Sequence, residues 1–231
     1  MGTLQEHNWL SAIIPVLNAA AELPATLAVL TASALIHEII VVDGGSADDS
    51  ATIARTAGAR VIEAPRGRGM QLAAGAAAAH DDWLLFIHAD CRPLRGWEDA
   101  VRDFISGQAA GKTAGYFSLA LDDTAPAARR LERIVAWRCR ALALPYGDQG
   151  LLIHRGLYDA VGGYAAIPLM EDVDIARRLG RARLRLVEAT MLASAQRYRR
   201  DGYWRRPLRN LICLTLYFAG IRPERLAKIY G

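Results

Sequence analysis

Short apolar runs alternate with helical patterns over the first part of the chain. Strands are predicted at residues 10–16, 36–42, 60–63 and 83–88, and helices are predicted at 23–34, 50–57 and 70–80. The run at 36–42 is too apolar to face water on either side, which is typical of a central parallel strand. The alternation predicts an α/β sheet with crossover helices, in which ligands bind beyond the carboxyl ends of the strands.

The second half mixes the two patterns. Helices are predicted at 97–106, 129–144, 172–179 and 208–218, and strands at 115–121, 151–154 and 183–188. No linker separates these elements, so we expect one domain. It would consist of a nucleotide-binding half at about 10–95, an acceptor half at about 96–195 and a basic, apolar C-terminal segment at about 196–231.

Composition indicates a folded chain with an uneven charge distribution. Hydrophobic residues make up 52% and charged residues 23% of the chain, which argues against disorder. The net charge is only +4, yet six arginines cluster near the C-terminus: Arg197, Arg199, Arg200, Arg205, Arg206 and Arg209. The cluster suits a phosphate-bearing ligand or an anionic membrane, or is simply a solvated basic face. Because it is short, nucleic-acid binding is not expected.

Cysteine use and the N-terminus bear on location. Cys91, Cys139 and Cys213 are widely spaced and form neither a disulfide framework nor a zinc pattern, which indicates a reducing compartment. Glu6 and His7 stand where a signal peptide would need an apolar run. The strongly apolar, uncharged stretch 210–221 is too short to span a bilayer. We therefore expect a cytoplasmic protein, soluble or in peripheral contact with the inner face of the membrane.

Two acidic residues follow predicted strands. Asp43 comes directly after the run 39–42, where its carboxylate would accept hydrogen bonds from a base or ribose, although an Asp-Gly turn is the simpler explanation. Asp90 follows the strand at 83–88, and strand alternation would place His88 on the same face. Mg²⁺ or Mn²⁺ takes one or two carboxylates together with diphosphate oxygens. Asp90 is therefore the candidate metal ligand and His88 a secondary candidate.

Three further motifs carry candidate chemistry. Glu171 and Asp172 stand at a predicted helix N-terminus, where carboxylates cap the helix or, near an acceptor hydroxyl, act as a general base. The loop 66–69 offers two arginines and flexible amides to a diphosphate, without the lysine of a Walker loop. The turn 147–150, with Asp148 and Gln149, either lines an acceptor pocket or only turns the chain.

With these motifs in this order, the chain resembles the family 2 inverting glycosyltransferases of the GT-A fold. The segments that carry the resemblance are 11–18, 39–50, 66–69, 88–90 in the place of the DxD motif, and 171–172 in the place of the catalytic ED pair. Segments 85–91 and 146–150 and the arginine-rich C-terminus are also similar to a bacterial subgroup associated with radical-SAM and selenoprotein genes. The implied fold is a mostly parallel central sheet with flanking helices and a helical C-terminal segment.

The resemblance also implies roles for single residues. A nucleotide-sugar donor would be bound by Pro15, Asn18, Asp43, Gly45, Ser46, Arg66, Gly69, His88 and Asp90. Asp90 would help to hold a divalent cation, Mg²⁺ or Mn²⁺, on the donor diphosphate. Asp172, with Glu171 beside it, would deprotonate the acceptor hydroxyl for in-line attack, and Asp148 and Gln149 would lie on the acceptor side.

Two departures from the family pattern leave alternatives open. His88 replaces the first acid of the DxD motif, and the stretch 196–200 matches a QxxRW motif loosely, with Arg200 in place of tryptophan. A donor-binding protein without turnover is therefore one alternative. A sugar-phosphate nucleotidyltransferase, which shares the general architecture and the metal-assisted diphosphate chemistry, is the other. The resemblance does not specify the acceptor, and a lipid-linked acceptor is one option because arginines and aromatic residues adjoin the apolar C-terminal helix.

Overall fold

The computed structural model describes residues 9–230, so Glu6 and His7 lie outside the described residues. The eight strands of this part form one sheet in the order β3-β2-β1-β4-β7-β6-β8-β5. The strands are β1 Leu10–Val16, β2 Ile36–Asp43, β3 Arg60–Glu63, β4 Trp83–Phe86, β5 Cys91–Pro93, β6 Ala114–Leu121, β7 Leu151–His154 and β8 Leu184–Ala193.

Helices flank this sheet. They are α1 Leu23–Thr31, α2 Ser50–Thr56, α3 Arg68–Ala78, α4 Trp97–Ser106, α5 Pro126–Leu142, α6 Arg155–Ala160, α7 Glu171–Leu179, α8 Gln196–Asp201, α9 Arg205–Phe218 and α10 Pro223–Tyr230. The short helices α6, α8 and α10 and the three-residue strand β5 are additions to the predicted set. Each is short, so its sequence contains too few turns or alternations to show a period.

The first half confirms the predicted parallel sheet. Strands β3, β2, β1 and β4 pair in parallel, and Val16 at the end of β1 is level with Asp43 at the end of β2. Ile13, Ile14 and Ile40 are fully buried, as the continuous apolar runs predicted. The carboxyl ends of β1 and β2 therefore meet at one edge of the sheet.

The boundaries of α1 and α3 differ from the prediction. Helix α1 ends at Thr31 rather than at residue 34, because the Ser33 hydroxyl donates to Glu98 Oε1 (2.5 Å) and accepts from the Leu35 amide (3.2 Å). Such side-chain bonds compete with helix continuation. Helix α3 begins at Arg68, so Arg68 and Gly69 belong to its first turn and not to a loop.

The prediction that strand alternation places His88 and Asp90 on one face was wrong. Strand β4 ends at Phe86, and after Ile87 the chain turns, with the Cys91 amide donating to the His88 carbonyl (3.1 Å). A turn therefore brings His88 and Asp90 together.

The second half of the sheet is mixed. Strand β7 is antiparallel to β4 and β6, β5 is antiparallel to β8, and β6 and β8 are parallel. Strand β8 continues past the predicted end at residue 188, because after a register shift beside Phe117 and Ser118 it pairs with β6 as far as Ala193. None of the helices in the described part of the chain has the length and apolar composition needed to cross a bilayer.

Candidate active site

Two adjoining cavities lie at the carboxyl edge of the parallel strands. The larger, which we call the donor cleft, has a volume of about 910 Å³ and is lined by Pro15, Asn18, Arg66, His88, Asp90 and Arg197, among others. The smaller, which we call the catalytic pocket, has a volume of about 110 Å³ and is lined by Tyr146, Asp148, Glu171, Asp172 and Asn210, among others. Arg68, His88 and Asp90 line both, so the two cavities share a wall.

Two loops beside the donor cleft are joined by hydrogen bonds, one containing Asn18 and the other containing Asp43 and Ser46. We call these joined loops the rim. Asp43, at the end of β2, accepts hydrogen bonds at Oδ1 from the Ser46 amide (3.1 Å) and the Ser46 hydroxyl (2.5 Å). The Ser46 hydroxyl in turn accepts from the Asn18 amide (3.0 Å), and Asn18 Oδ1 accepts from the Ala47 amide (2.8 Å). The predicted donor residues Asn18, Asp43 and Ser46 are therefore joined in one network.

At two of the predicted donor-binding positions, the structure shows why the residue is a glycine. Gly45 has φ +88°, a left-handed conformation that the turn between Asp43 and Ser46 requires and that glycine adopts without strain. Gly69 packs so closely that a Cβ atom would lie 2.2 Å from the Ala165 carbonyl oxygen, and its amide donates to the Ile167 carbonyl (3.2 Å). The amide of Gly69 is therefore occupied by the chain itself.

His88, Asp90 and Cys91 form a cluster whose ligand atoms lie within 4.8 Å of one another. Burial, together with the Arg68 guanidinium, lowers the pKa of His88 to about 4, so its imidazole is neutral at neutral pH, the form that coordinates metals. Burial raises the pKa of the Cys91 thiol well above its usual range, which disfavours the thiolate. An imidazole and a carboxylate therefore fit a divalent cation better than the thiol does.

Gly147 makes room for the His88 ring. A Cβ atom on Gly147 would lie 2.4 Å from His88 Nε2, closer than any side chain allows. The turn that contains Gly147 thus packs directly against the His88 ring, which is part of the wall between the two cavities.

Asp172 is fixed by two backbone amides. Its Oδ1 accepts from the Val173 amide (2.7 Å) in the first turn of α7, and its Oδ2 accepts from the Gly147 amide (3.0 Å). The second bond ties α7 to the Gly147–Gln149 turn, which is one turn of 3-10 helix. The side chain is half-buried and faces the catalytic pocket.

Glu171 and Asp148 are carboxyl groups with unfilled hydrogen-bonding capacity. Glu171 is 1% exposed, and among the described residues neither of its oxygens has a hydrogen-bond partner, although Arg68 Nη1 lies 3.6 Å from Oε1. Burial, reinforced by Asp172 and opposed by Arg68, raises the pKa of Glu171 to about 7. Burial also raises the pKa of Asp148 to about 6, and its Oδ1 has no partner among the described residues.

Gln149 is placed differently from Asp148. It is buried, its amide nitrogen donates to the Phe117 carbonyl (3.0 Å), and its carbonyl oxygen accepts from Arg138 Nη2 (3.0 Å). These contacts give Gln149 a structural part beneath the pocket.

The sequence did not predict the contacts by which two polar residues organise the site. Arg68 contacts Glu171 and lines both cavities; its presence in the glycine-arginine segment was the available signal. Gln71 is buried, and its amide nitrogen donates to the carbonyl oxygens of Val16 and Val42, each at 2.8 Å. An uncharged polar side chain among the alanines of a helix was the signal for Gln71.

The arginine-rich segment lies beside the donor cleft. Arg197, Arg200, Arg206 and Arg209 all line it. Asp201 holds three of them: its carboxylate lies 2.7 Å from Arg200 Nε, 3.5 Å from Arg206 Nη1 and 3.9 Å from Arg209 Nη2.

Solved structures with the same architecture place the chain in the class of GT-A fold proteins. Mannosyl-3-phosphoglycerate synthase from Rubrobacter xylanophilus is 18% identical, with a TM-score of 0.61 over 92% of this chain and 75% of that one. Glucosyl-3-phosphoglycerate synthase from Mycobacterium tuberculosis, solved with Mn²⁺ and UDP-glucose, is 22% identical, with a TM-score of 0.58 over 79% of this chain and 70% of that one. These likenesses confirm the predicted fold.

The chain belongs to glycosyl transferase family 2, whose family model matches residues 11–139. Uncharacterised glycosyltransferases of Mycobacterium tuberculosis (strain H37Rv) and Mycobacterium bovis are each 40% identical to it over 79 residues. That match covers 34% of this chain and 35% of each relative, so the chain matches about a third of their length. The family resemblance drawn from the motifs is thereby confirmed.

Proposed function

We propose that the chain transfers a sugar from a nucleotide-diphosphate-sugar donor to an acceptor hydroxyl, with inversion at the anomeric carbon. The observation that supports this most is the wall shared by the two cavities. His88 and Asp90 border both the donor cleft and the catalytic pocket, and Asp172 borders the pocket. A donor in the cleft would have its diphosphate beside Asp90 and its sugar directed toward Asp172.

Three successive segments of the chain would have different roles. Residues 10–95 would bind the donor, with the nucleoside against Pro15, Asn18 and the Asp43–Ser46 rim. Residues 96–195 would supply the acceptor side, including Asp148. The segment 196–231 would place its arginines over the diphosphate, since four of them line the donor cleft.

His88 and Asp90 would hold the divalent cation, Mg²⁺ or Mn²⁺. A bound cation would neutralise the charge that develops on the departing diphosphate. The likeness to a synthase solved with Mn²⁺ and UDP-glucose supports this assignment, as does the neutral imidazole beside a carboxylate. Arg68 and Arg197 would add positive charge at the same place, and such preorganised charge is a large part of catalysis.

Asp172 would act as the general base. The two amides of Val173 and Gly147 hold its carboxylate in one orientation, and a base must be fixed within hydrogen-bond reach of the proton it removes. The acceptor hydroxyl would give its proton to Asp172 as its oxygen bonds to the anomeric carbon. The bond from that carbon to the diphosphate oxygen would break on the opposite side, which inverts the configuration.

Screening and product analysis test the proposal. The purified chain would be screened by thermal shift against nucleoside diphosphates with and without Mn²⁺, because a ligand that binds only the folded state raises the midpoint. The donor of the preferred nucleotide would then be incubated with the chain. Release of nucleoside diphosphate supports transfer, pyrophosphate release would indicate a nucleotidyltransferase, and binding without any product would indicate a donor-binding protein.

A further inference from the structure

Helix α9 turns its apolar face outward. The exposed large side chains of this helix and its N-cap are Trp204, Leu208, Leu211, Ile212 and Phe218, which recur at helical spacing on one side. Trp204 is 76% exposed.

The opposite side of α9 is partly polar. Arg206, Arg209 and Asn210 point to the two cavities, whereas Cys213 and Leu214 are buried. In a helix that only packs on its own protein, the apolar face would be the buried one. The outer face of α9 is therefore an exposed apolar patch of the kind that marks an interaction surface.

Helix α5 has an exposed face of related character. Ile134 is 55% and Trp137 is 59% exposed, and they are interspersed with the exposed Arg130, Arg133 and Arg140. None of the ion pairs in the described residues involves these three arginines. The outer face of α5 is thus apolar and cationic.

Helices α5 and α9 are connected to each other at their N-terminal ends, and both contact the end of α7 at their C-terminal ends. At one end, the Tyr203 hydroxyl, just before α9, donates to Asp123 Oδ2 (2.7 Å), just before α5. At the other end, Arg177 of α7 lies 4.9 Å from the Phe218 ring of α9, and Arg181, just after α7, donates to the Arg140 carbonyl of α5 (2.8 Å). The two ends of α5 therefore lie near the two ends of α9.

The catalytic pocket is bordered by α9 and is linked to α5 through Tyr146. Tyr146 lines the pocket, and the Arg138 guanidinium of α5 lies 3.4 Å from the centre of its ring. On the other side, Arg206 and Asn210 of α9 line the pocket.

We propose that the outer faces of α5 and α9 form a docking surface for an anionic lipid bilayer. The charge of the surface selects this partner: exposed arginines beside exposed tryptophans match a bilayer interface, where anionic headgroups meet acyl chains. The helices would lie in the interface, since no described helix is suited to span the bilayer. The acceptor is then a membrane-resident lipid whose hydroxyl enters the catalytic pocket, a conclusion that rests on the proposed function.

Vesicle co-sedimentation of the purified chain tests the docking surface. The probes are phosphatidylcholine vesicles with and without phosphatidylglycerol, at low salt and with no donor present. We expect binding only to the vesicles with phosphatidylglycerol. In the triple variant Trp204→Ser, Leu208→Ser, Leu211→Ser binding should fall at least about tenfold, since each large apolar side chain contributes strongly on burial.

Matched variants separate docking from folding. Trp9→Ser removes another exposed tryptophan, before the start of β1 and thus at the other end of the strand from the donor cleft, and should leave vesicle binding unchanged. Arg130→Gln, Arg133→Gln, Arg140→Gln should lower binding to anionic vesicles at an unchanged thermal midpoint.

Three results would overturn the docking surface. They are absence of vesicle binding at low salt, undiminished binding by the α9 triple variant, or a wild-type dimer by light scattering that the α9 variant converts to monomer. The last would mean that a second copy covers the face. Donor hydrolysis by the wild-type chain keeps the two proposals apart: turnover without vesicle binding removes only the docking surface, and vesicle binding without turnover removes only the proposed transfer.

Discussion

The rim of the donor cleft and the catalytic pocket differ in how their polar groups are satisfied. At the rim, Asp43 and Ser46 hydrogen-bond each other, and the Gln71 amide serves two strand carbonyls. In the pocket, Glu171 and Asp148 are carboxyl groups with raised pKa values and oxygens that lack hydrogen-bond partners among the described residues.

The difference indicates that the rim contributes to stability and that the pocket is arranged to act on a ligand. A satisfied network is rigid before any ligand arrives and contributes to stability. Unsatisfied buried carboxyl groups cost stability and are typical of sites that act on a ligand. We therefore expect substitutions at the rim to lower stability, and substitutions in the pocket to alter turnover or the pH dependence of stability.

The largest effect is expected for Asp172→Asn. Loss of the base should lower turnover about 10²–10⁴-fold, because an amide cannot take the acceptor proton. The measurement is the steady-state rate of nucleoside diphosphate release. Asp174→Asn is the matched control, since Asp174 lies on the same helix and pairs with Arg178. Equal losses in both variants would contradict the assignment.

Gln71→Leu should lower the free energy of unfolding by about 2–4 kcal/mol, because the carbonyl oxygens of Val16 and Val42 would both lose a buried donor. Urea unfolding followed by circular dichroism measures this. Gln108→Leu, at an exposed position, is the control and should change little. A loss no larger than that of the control would mean that the rim is not the rigid part.

Glu171→Gln should flatten the pH dependence of stability. The folded-state pKa of about 7 is above the usual glutamate pKa of 4.5, so the unfolded chain releases this proton first as the pH rises. Wild-type stability should therefore fall as the pH rises from about 4.5 to about 7, by on the order of 2–3 kcal/mol from this group. The check is urea unfolding of both proteins across that range. A constant difference between them would rule out Glu171 as the source.

The smallest effect is expected for Ser46→Ala. It removes the hydroxyl that bridges Asp43 and Asn18 and should cost about 1 kcal/mol of unfolding free energy. Ser106→Ala is a suitable reference, since within the described part of the chain that hydroxyl bonds only to the Arg102 carbonyl of its own exposed helix turn. The thermal midpoint should fall further in Ser46→Ala than in the reference. A smaller fall in Ser46→Ala would contradict the expectation that the rim contributes to stability.

Much of the fold could be predicted because its signals are local. The bounds of β1, β3, β7 and α4 agree with the predicted ranges, since apolar runs and helical periods lie within the segments themselves. Motifs at the ends of strands indicated the family and several of the residues that line the two cavities. The strand alternation assumed for His88 and Asp90 failed because a turn replaces the last residues of the predicted strand.

The sequence by itself determined the order of the longer strands and helices, the family, and the residue types available for a cation and a base. Only the tertiary structure decided that Arg68 faces Glu171, that Gly147 holds Asp172, and that α9 presents its apolar face outward. These three features depend on contacts between segments far apart in the chain. A local pattern shows that a helix has an apolar face, but what that face meets depends on how the other elements pack.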